Sequence, residues 1–202
     1  MLSRTLLVGV LTPLVLSSVA CRAEPVRPGD RAVDASMASQ PSTQVNGNAG
    51  VPAVSVYRVS LSPLNGSDVH GTATIQVKGS DLVVELQAVG HVPDMMHAQH
   101  IHGFTDGTDA TCPPPEAAGD DGVLSFTDGL PFYGPVQLVL NPFPAPANSA
   151  GAFHYRGSFP EGDLAFDASD LELKTMVLHG DFVGSEFVGS LPVACGVVER
   201  VN

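Results

Sequence analysis

The chain has 202 residues, of which 44% are hydrophobic and 15% are charged, so it can fold around a sizeable core. Its formal net charge of −12, from 21 acidic and 9 basic residues, argues against nucleic acid as a partner. The 21 glycines and 17 prolines are spread along the chain, which is typical of many short strands joined by turns.

The first segment, residues 1–20, is predicted to be a signal peptide. Arg4 precedes an apolar run that is too short to be a typical membrane-spanning helix. Small residues before Cys21 resemble a bacterial lipoprotein cleavage site, at which Cys21 would be lipidated. Ordinary cleavage after Ala20 is the alternative, because Ser18 stands where that motif usually has Leu. Either way we expect export to the periplasm, the cell surface or the medium, with membrane contact only through a lipid anchor.

Residues 21–50 are rich in Pro, Ser, Ala, Gln, Asn and Gly without an apolar period, and they predict a flexible tether. From residue 51 to residue 202 the apolar residues recur with a period of two, which predicts one all-β domain. The clearest hairpin spans residues 72–89 and turns at residues 78–81. Further strands are expected at residues 54–61, 96–103, 136–140, 152–157, 175–180 and 191–200.

No segment has a convincing helical period, and residues 104–134 are expected to form a long loop. About eight strands with turn-rich connections favour a Greek-key β-sandwich or barrel. If Cys21 carries a lipid, Cys112 and Cys195 remain as an even pair, for which a disulfide is expected in an oxidising compartment. Two buried free thiols are the alternative.

A histidine pattern in the fourth predicted strand indicates a metal site. His100 and His102 flank Ile101, so both rings lie on one face of a strand while Ile101 points to the core. Their Cα atoms would be about 6.6 Å apart, close enough for two imidazoles to share an ion. Satisfied structural histidines are the alternative for so short a motif.

Several motifs, taken in order, resemble the copper–zinc superoxide dismutases over roughly residues 54–202. They are Val69-His70-Gly71-Thr72, then the H-x-x-H-x-H run from His97 to His102, then Cys112, then Leu178-His179-Gly180, then Ala194-Cys195-Gly196-Val197. The resemblance implies a superoxide dismutase-like fold, superoxide as the substrate, and copper held by His100, His102 and His179. It also implies that His97 bonds to the backbone rather than the metal, and that Cys112 and Cys195 form a disulfide.

The sequence departs from this family in three places. The segment after Cys112 has prolines and acids where the family has zinc-binding histidines, which indicates a copper-only variant without zinc. The segment between His179 and Cys195 is too short for the family's charged guiding loop. Pro192 stands where the family has an arginine that attracts superoxide, and proline offers neither a charge nor a hydrogen-bond donor. No catalytic residue is therefore assigned, and the sequence does not decide whether the protein dismutates superoxide. Arg58 and Arg156 are candidates for replacing that charge.

A different class of function fits the same residues. A non-catalytic envelope module could bind metal or serve a structural role on this fold, and CHRD domains carry a strand that the run His97–Gly103 partly resembles. Those domains do not predict the pairing of Cys112 with Cys195. The remaining histidines, His70, His91 and His154, are expected at the surface or in turns.

Overall fold

The computed structural model describes residues 54–201. The predicted signal peptide at residues 1–20, the tether at residues 21–50 and Cys21 lie outside the described residues. Between residues 54 and 201, no helix combines the length and the apolar character needed to cross a membrane.

Eight strands form one antiparallel sheet that curls into a half-barrel, as the period-two pattern predicts. Their bounds are β1 Val54–Pro63, β2 His70–Lys78, β3 Asp81–Val89, β4 Gln99–Gly103, β5 Val136–Val139, β6 Phe153–Phe159, β7 Lys174–Val183 and β8 Glu186–Arg200. The strand order across the sheet is β5-β4-β7-β8-β1-β2-β3-β6. Short 3₁₀ helices lie at Pro115–Ala117, Glu161–Asp163 and Ala168–Leu173.

Strands β1, β2, β3 and β6, here called the hairpin half, have one buried and one solvent-facing surface. In β3 the buried residues Leu82, Val84 and Leu86 alternate with partly or fully exposed neighbours, and they pack in the main core. The predicted hairpin is confirmed: β2 ends at Lys78, β3 begins at Asp81, and these two residues pair.

Strands β4, β5, β7 and β8, here called the histidine half, are buried more completely. All seven residues of β7 from Lys174 to Gly180 are buried. Ile101, Met176 and Leu178 belong to the main core on the inner face, and residues 104–134 cover part of the outer face. We call residues 104–134 the covering segment. Side chains on the outer face of the histidine half are therefore buried between the strands and this segment.

The covering segment is not a plain loop, so that prediction was wrong. It contains helix α1 at Phe126–Tyr133, which begins with a capping box: Ser125 accepts from the Asp128 amide, and Asp128 accepts from the Ser125 amide. Gly129 and Pro131 inside these two turns hide the helical period. The Ser-x-x-Asp spacing was the available signal.

A disulfide joins the covering segment to the sheet. Cys112 is bonded to Cys195 on β8, across a sequence separation of 83 residues. A crosslink of this loop length is worth about 4.5 kcal/mol in the chain-entropy model. Since Cys195 pairs with Val177 on β7, the bond fixes the covering segment beside the strand that carries His179.

Candidate metal centre

Three histidine rings from two strands meet on the outer face of the histidine half. His100 and His102 lie on β4 and His179 lies on the neighbouring strand β7. Their ring centroids are 5.1 Å apart for His100 and His179, 5.6 Å for His100 and His102, and 5.8 Å for His102 and His179. One nitrogen from each ring lies within 4.8 Å of one nitrogen from each of the others. Small ring rotations bring such a set within reach of one ion bound at about 2.0 Å.

Backbone hydrogen bonds set the tautomers of two of these rings. Nδ1 of His102 donates to the Gly134 carbonyl at 2.9 Å, and Nδ1 of His179 donates to the Ser190 carbonyl at 3.0 Å. A neutral imidazole has one N–H, so each Nε2 keeps a free lone pair. Both Nε2 atoms are buried without a hydrogen-bond partner, and so is Nδ1 of His100. These are the properties of metal-ligating nitrogens.

The three imidazoles stay neutral well below the usual pH range of histidine. Burial lowers the pKa of His100 to about 4 and that of His102 to about 4. Burial, followed by the proximity of His100 and His102, lowers the pKa of His179 to about 3. Because a ligating imidazole must be unprotonated, the folded chain keeps this set available to a metal in mildly acidic solution.

His97 bonds only to backbone in the described contacts. Its Nδ1 lies 3.1 Å from the carbonyl oxygen of His179, and its Nε2 lies 2.8 Å from the Val92 carbonyl oxygen. A Cβ on Gly180 would lie 2.8 Å from that Nδ1, so glycine is needed for this close approach. His97 thus joins the segment before β4 to the backbone of His179.

Three aromatic side chains surround the histidines and form what we call the aromatic cap. The Tyr133 ring lies 4.7 Å from that of His102, and the Phe143 ring lies 5.7 Å from that of His100. The Phe126 ring centroid lies 6.0 Å from the ring centroids of both His102 and His179. Sequence reasoning missed all three, since nothing in a single sequence links these aromatic residues to distant histidines.

Two contacts within helix α1 fix the position of the Tyr133 ring. Tyr133 is fully buried, and its hydroxyl donates to the Phe126 carbonyl at 2.6 Å. A Cβ on Gly129 would overlap the Tyr133 ring, so any other residue at that helix position would displace the ring. These contacts fix the Tyr133 ring against His102.

Asn65 links the segment before helix α1 to strand β8. Its Nδ2 donates to the carbonyls of Leu124 and Pro192, and its Oδ1 accepts from the Leu124 amide. Pro192 lies in β8 opposite His179, where the strand register shifts. Pro192 therefore contributes a carbonyl to the framework of the site, and it brings no charge there.

The two arginines considered as replacements for a guiding charge lie on strands without triad histidines. Arg156 on β6 forms a salt bridge with Glu85 on β3. Arg58 is exposed on β1, between Thr74 and Glu199 of the adjacent strands. Neither is among the residues found around the histidine triad.

The other histidines divide between surface and interior. His70 and His154 are exposed, as expected. The surface expectation for His91 was wrong, because this side chain is only 3% exposed and packs 4.3 Å from the His97 ring. Burial, with His97 as a second cause, lowers the pKa of His91 to about 3. Its position in the connection after β3 gave no sign of this burial.

No protein-family model and no curated protein matches this sequence. The arrangement itself is that of a buried histidine triad that could hold a metal ion. Among residues 54–201, this triad is the one set of three or more His, Cys, Asp or Glu residues whose ligand atoms lie close enough together to share a metal ion. Every member of the triad offers an imidazole nitrogen.

Proposed function

We propose that this protein is an exported copper-binding protein with a superoxide dismutase-like Greek-key domain. The observation that carries the proposal is the convergence of three buried, unpaired imidazole nitrogens from His100, His102 and His179. Imidazole is a good ligand for copper, and leaving a buried polar atom unpaired costs about 1–3 kcal/mol. A bound ion would satisfy all three nitrogens at once.

The sequence supports copper over other metals at this triad. The ordered run from His97 to His102, with Cys112, His179 and Cys195, resembles copper–zinc superoxide dismutases, while the zinc-binding histidines are missing. Export would follow from the predicted signal peptide, and a lipid on Cys21 would hold the domain at a membrane. In this role His102 and His179 are oriented by their backbone bonds, and the disulfide fixes the covering segment beside them.

The strongly negative charge fits capture of a cation. A net charge of −12 raises the local concentration of copper ions near the surface and lowers that of superoxide. We therefore place metal binding first and superoxide dismutation second. The resemblance favours dismutation as the second candidate: copper held by the triad would supply the one-electron couple needed to oxidise one superoxide to O₂ and to reduce the next, with two protons, to peroxide.

The test compares the wild type with the double variant His100→Ala, His102→Ala, and uses His70→Ala, His154→Ala as the matched control, since those two histidines are exposed. Copper is titrated against each protein. We expect one tightly bound copper in the wild type and the control, and its loss in the first variant. Equal binding by all three proteins would refute the proposal.

The same three proteins separate the two candidate functions. Superoxide consumption above the double variant's background would establish dismutation. A rate that increases with added salt would agree with like-charge repulsion between the protein and superoxide. Copper binding with no superoxide consumption would leave the protein as a copper-binding module.

A further inference from the structure

The aromatic cap covers one candidate ligand nitrogen on each ring of the histidine triad, although the His100 side chain as a whole is only half-buried. Nδ1 of His100 and the Nε2 atoms of His102 and His179 each expose less than 1 Å². Phe126 contacts two triad rings, whereas Tyr133 and Phe143 each contact one. Phe126 is also partly exposed, so it lies between solvent and the space that the His102 and His179 rings share.

The charge of the site is as important as its closure. The candidate ligand set contains three imidazoles and no carboxylate or thiolate, and an imidazole binds a metal in its neutral form. A bound ion would keep its full charge in a poorly solvated space. The cost of removing an ion from water increases with the square of its charge, so a divalent ion loses about four times as much hydration energy as a monovalent ion of the same size.

Coordination number points in the same direction. Zn²⁺ usually takes four ligands, and Cu²⁺ favours a square or tetragonal set. Among the described residues, no fourth His, Cys, Asp or Glu joins the three imidazoles, and the partly exposed Phe126 ring stands where a water would approach the space between His102 and His179. A soft monovalent ion with a filled d shell accepts three ligands without that loss.

We propose that Phe126 makes the triad selective for monovalent soft ions, Cu⁺ or Ag⁺, over Cu²⁺ and Zn²⁺. This inference rests on the proposed copper-binding function and adds the oxidation state of the ion and the residue that selects it. Phe126 acts by closing the site rather than by ligating the metal. Its position is fixed by the Ser125–Asp128 capping box and by the bond from the Tyr133 hydroxyl to its carbonyl.

The test compares Phe126→Ala and Phe126→Leu with the wild type in the purified protein. Phe159→Ala is the matched control, because Phe159 is a partly buried phenylalanine that packs on the main core instead. Affinities for Cu⁺ and Ag⁺ are measured without oxygen by competition with a chelator, and affinities for Cu²⁺ and Zn²⁺ by the same method. The quantity of interest is the ratio of monovalent to divalent affinity.

We expect Phe126→Ala to lower that ratio by about tenfold or more, the size typical of changes around a metal site. Phe126→Leu, which keeps an apolar side chain over the site, should stay near the wild type, and Phe159→Ala should not change the ratio. For copper, a tenfold loss corresponds to a fall of 59 mV in the one-electron reduction potential. An unchanged ratio in Phe126→Ala would overturn the inference.

A second measurement needs no variant. Azide is added to the wild-type protein loaded with Cu²⁺, and the electron paramagnetic resonance spectrum is recorded. A closed site predicts no change in the spectrum, and a shifted spectrum would show an open coordination position and overturn the inference. If the wild type binds none of the four ions, or binds them equally without His100 and His102, the proposed function fails as well. If the triad binds copper but the ratio of monovalent to divalent affinity is unchanged in Phe126→Ala, only the selectivity inference fails.

Discussion

The two halves of the sheet bury their apolar residues in different ways. In the hairpin half, one surface packs in the core and the other meets water, so buried and exposed residues alternate along β2 and β3. In the histidine half, β7 is buried continuously from Lys174 to Gly180, because residues 104–134 lie over part of its outer surface. The first half is an ordinary amphipathic sheet, and the second is a sheet with an extra layer.

The difference determines how a polar side chain in each half can satisfy its hydrogen-bonding groups. A polar side chain on the outer surface of the hairpin half can bond to water, as exposed Gln87 and His154 can. Between the histidine half and its cover, a buried polar atom needs a partner other than bulk water. Other buried polar atoms also lack a partner, but the three triad nitrogens lie within 4.8 Å of one another, and this convergence favours a shared ligand.

The largest expected effect compares Tyr133, buried in the segment that covers the histidine half, with Tyr155, buried in the hairpin half. Tyr133→Ala and Tyr155→Ala should each lower the free energy of unfolding by about 3–5 kcal/mol, because each removes a buried aromatic ring. Only Tyr133 packs on a triad ring, at 4.7 Å from His102. Tyr133→Ala should thus also weaken copper binding about tenfold or more. Chemical denaturation and copper titration check both effects, and equal copper affinities in the two variants would contradict the role of the cap.

The next effect compares a ligand candidate with an exposed histidine. We expect His179→Ala to weaken copper binding by more than about a hundredfold, above the 10–100-fold typical of residues that only support a ligand. His154→Ala, in the hairpin half, should bind copper like the wild type, since that side chain is exposed. Competition titration measures both. A loss below tenfold in His179→Ala would mean that β7 contributes no ligand.

The third effect depends on pH. Folded His91 and His179 have pKa values of about 3, below the value of about 6.5 for an unfolded chain, so the unfolded chain takes up protons first as the pH falls. The metal-free protein should be fully stable above about pH 6.5 and lose about 2 kcal/mol per such histidine by pH 5.

His91→Leu isolates one of these contributions. His91 packs against His97 and Phe153 and is outside the triad, so leucine should remove its share of the loss and leave copper binding intact. Denaturation curves at pH 7 and pH 5 give the difference. If the variant loses as much stability as the wild type over that range, His91 is not a neutral buried group.

The smallest effect concerns the start of helix α1. Ser125→Ala removes the capping hydroxyl and should cost about 1 kcal/mol. Ser169 makes a similar local bond to Asp167 in the 3₁₀ helix at Ala168–Leu173, remote in sequence from the cap, so Ser169→Ala is its control. Ser125→Ala should also speed copper exchange, because the cap opens more often. Stopped-flow exchange that is equally fast in both variants would argue against a cap held by α1.

The sequence predicted the hairpin half better than the histidine half for a physical reason. Alternation is a local signal, and it gave the β2–β3 hairpin and the turn at Lys78–Asp81. The relation of His100 to His102 is also local, since two residues of a strand share a face. These features require no knowledge of the rest of the chain.

The remaining parts of the site depend on contacts between distant residues. The pairing of β4 with β7 brings His179 to the His-x-His pair, and only a family resemblance suggested it from sequence. Helix α1 has two turns interrupted by Gly129 and Pro131, so its capping box was the sole local sign. The burial of His91 follows from tertiary packing against His97 and Phe153, which a single sequence does not encode in any short window.

The most direct test of the account is a crystal structure of the copper-loaded protein with diffraction data collected at the copper absorption edge. We predict one anomalous peak on the outer face of β4 and β7, within bonding distance of Nδ1 of His100 and Nε2 of His102 and His179. A peak elsewhere, or a peak that leaves the ring of His179 unbound, would contradict the claim that these three imidazoles form one metal site.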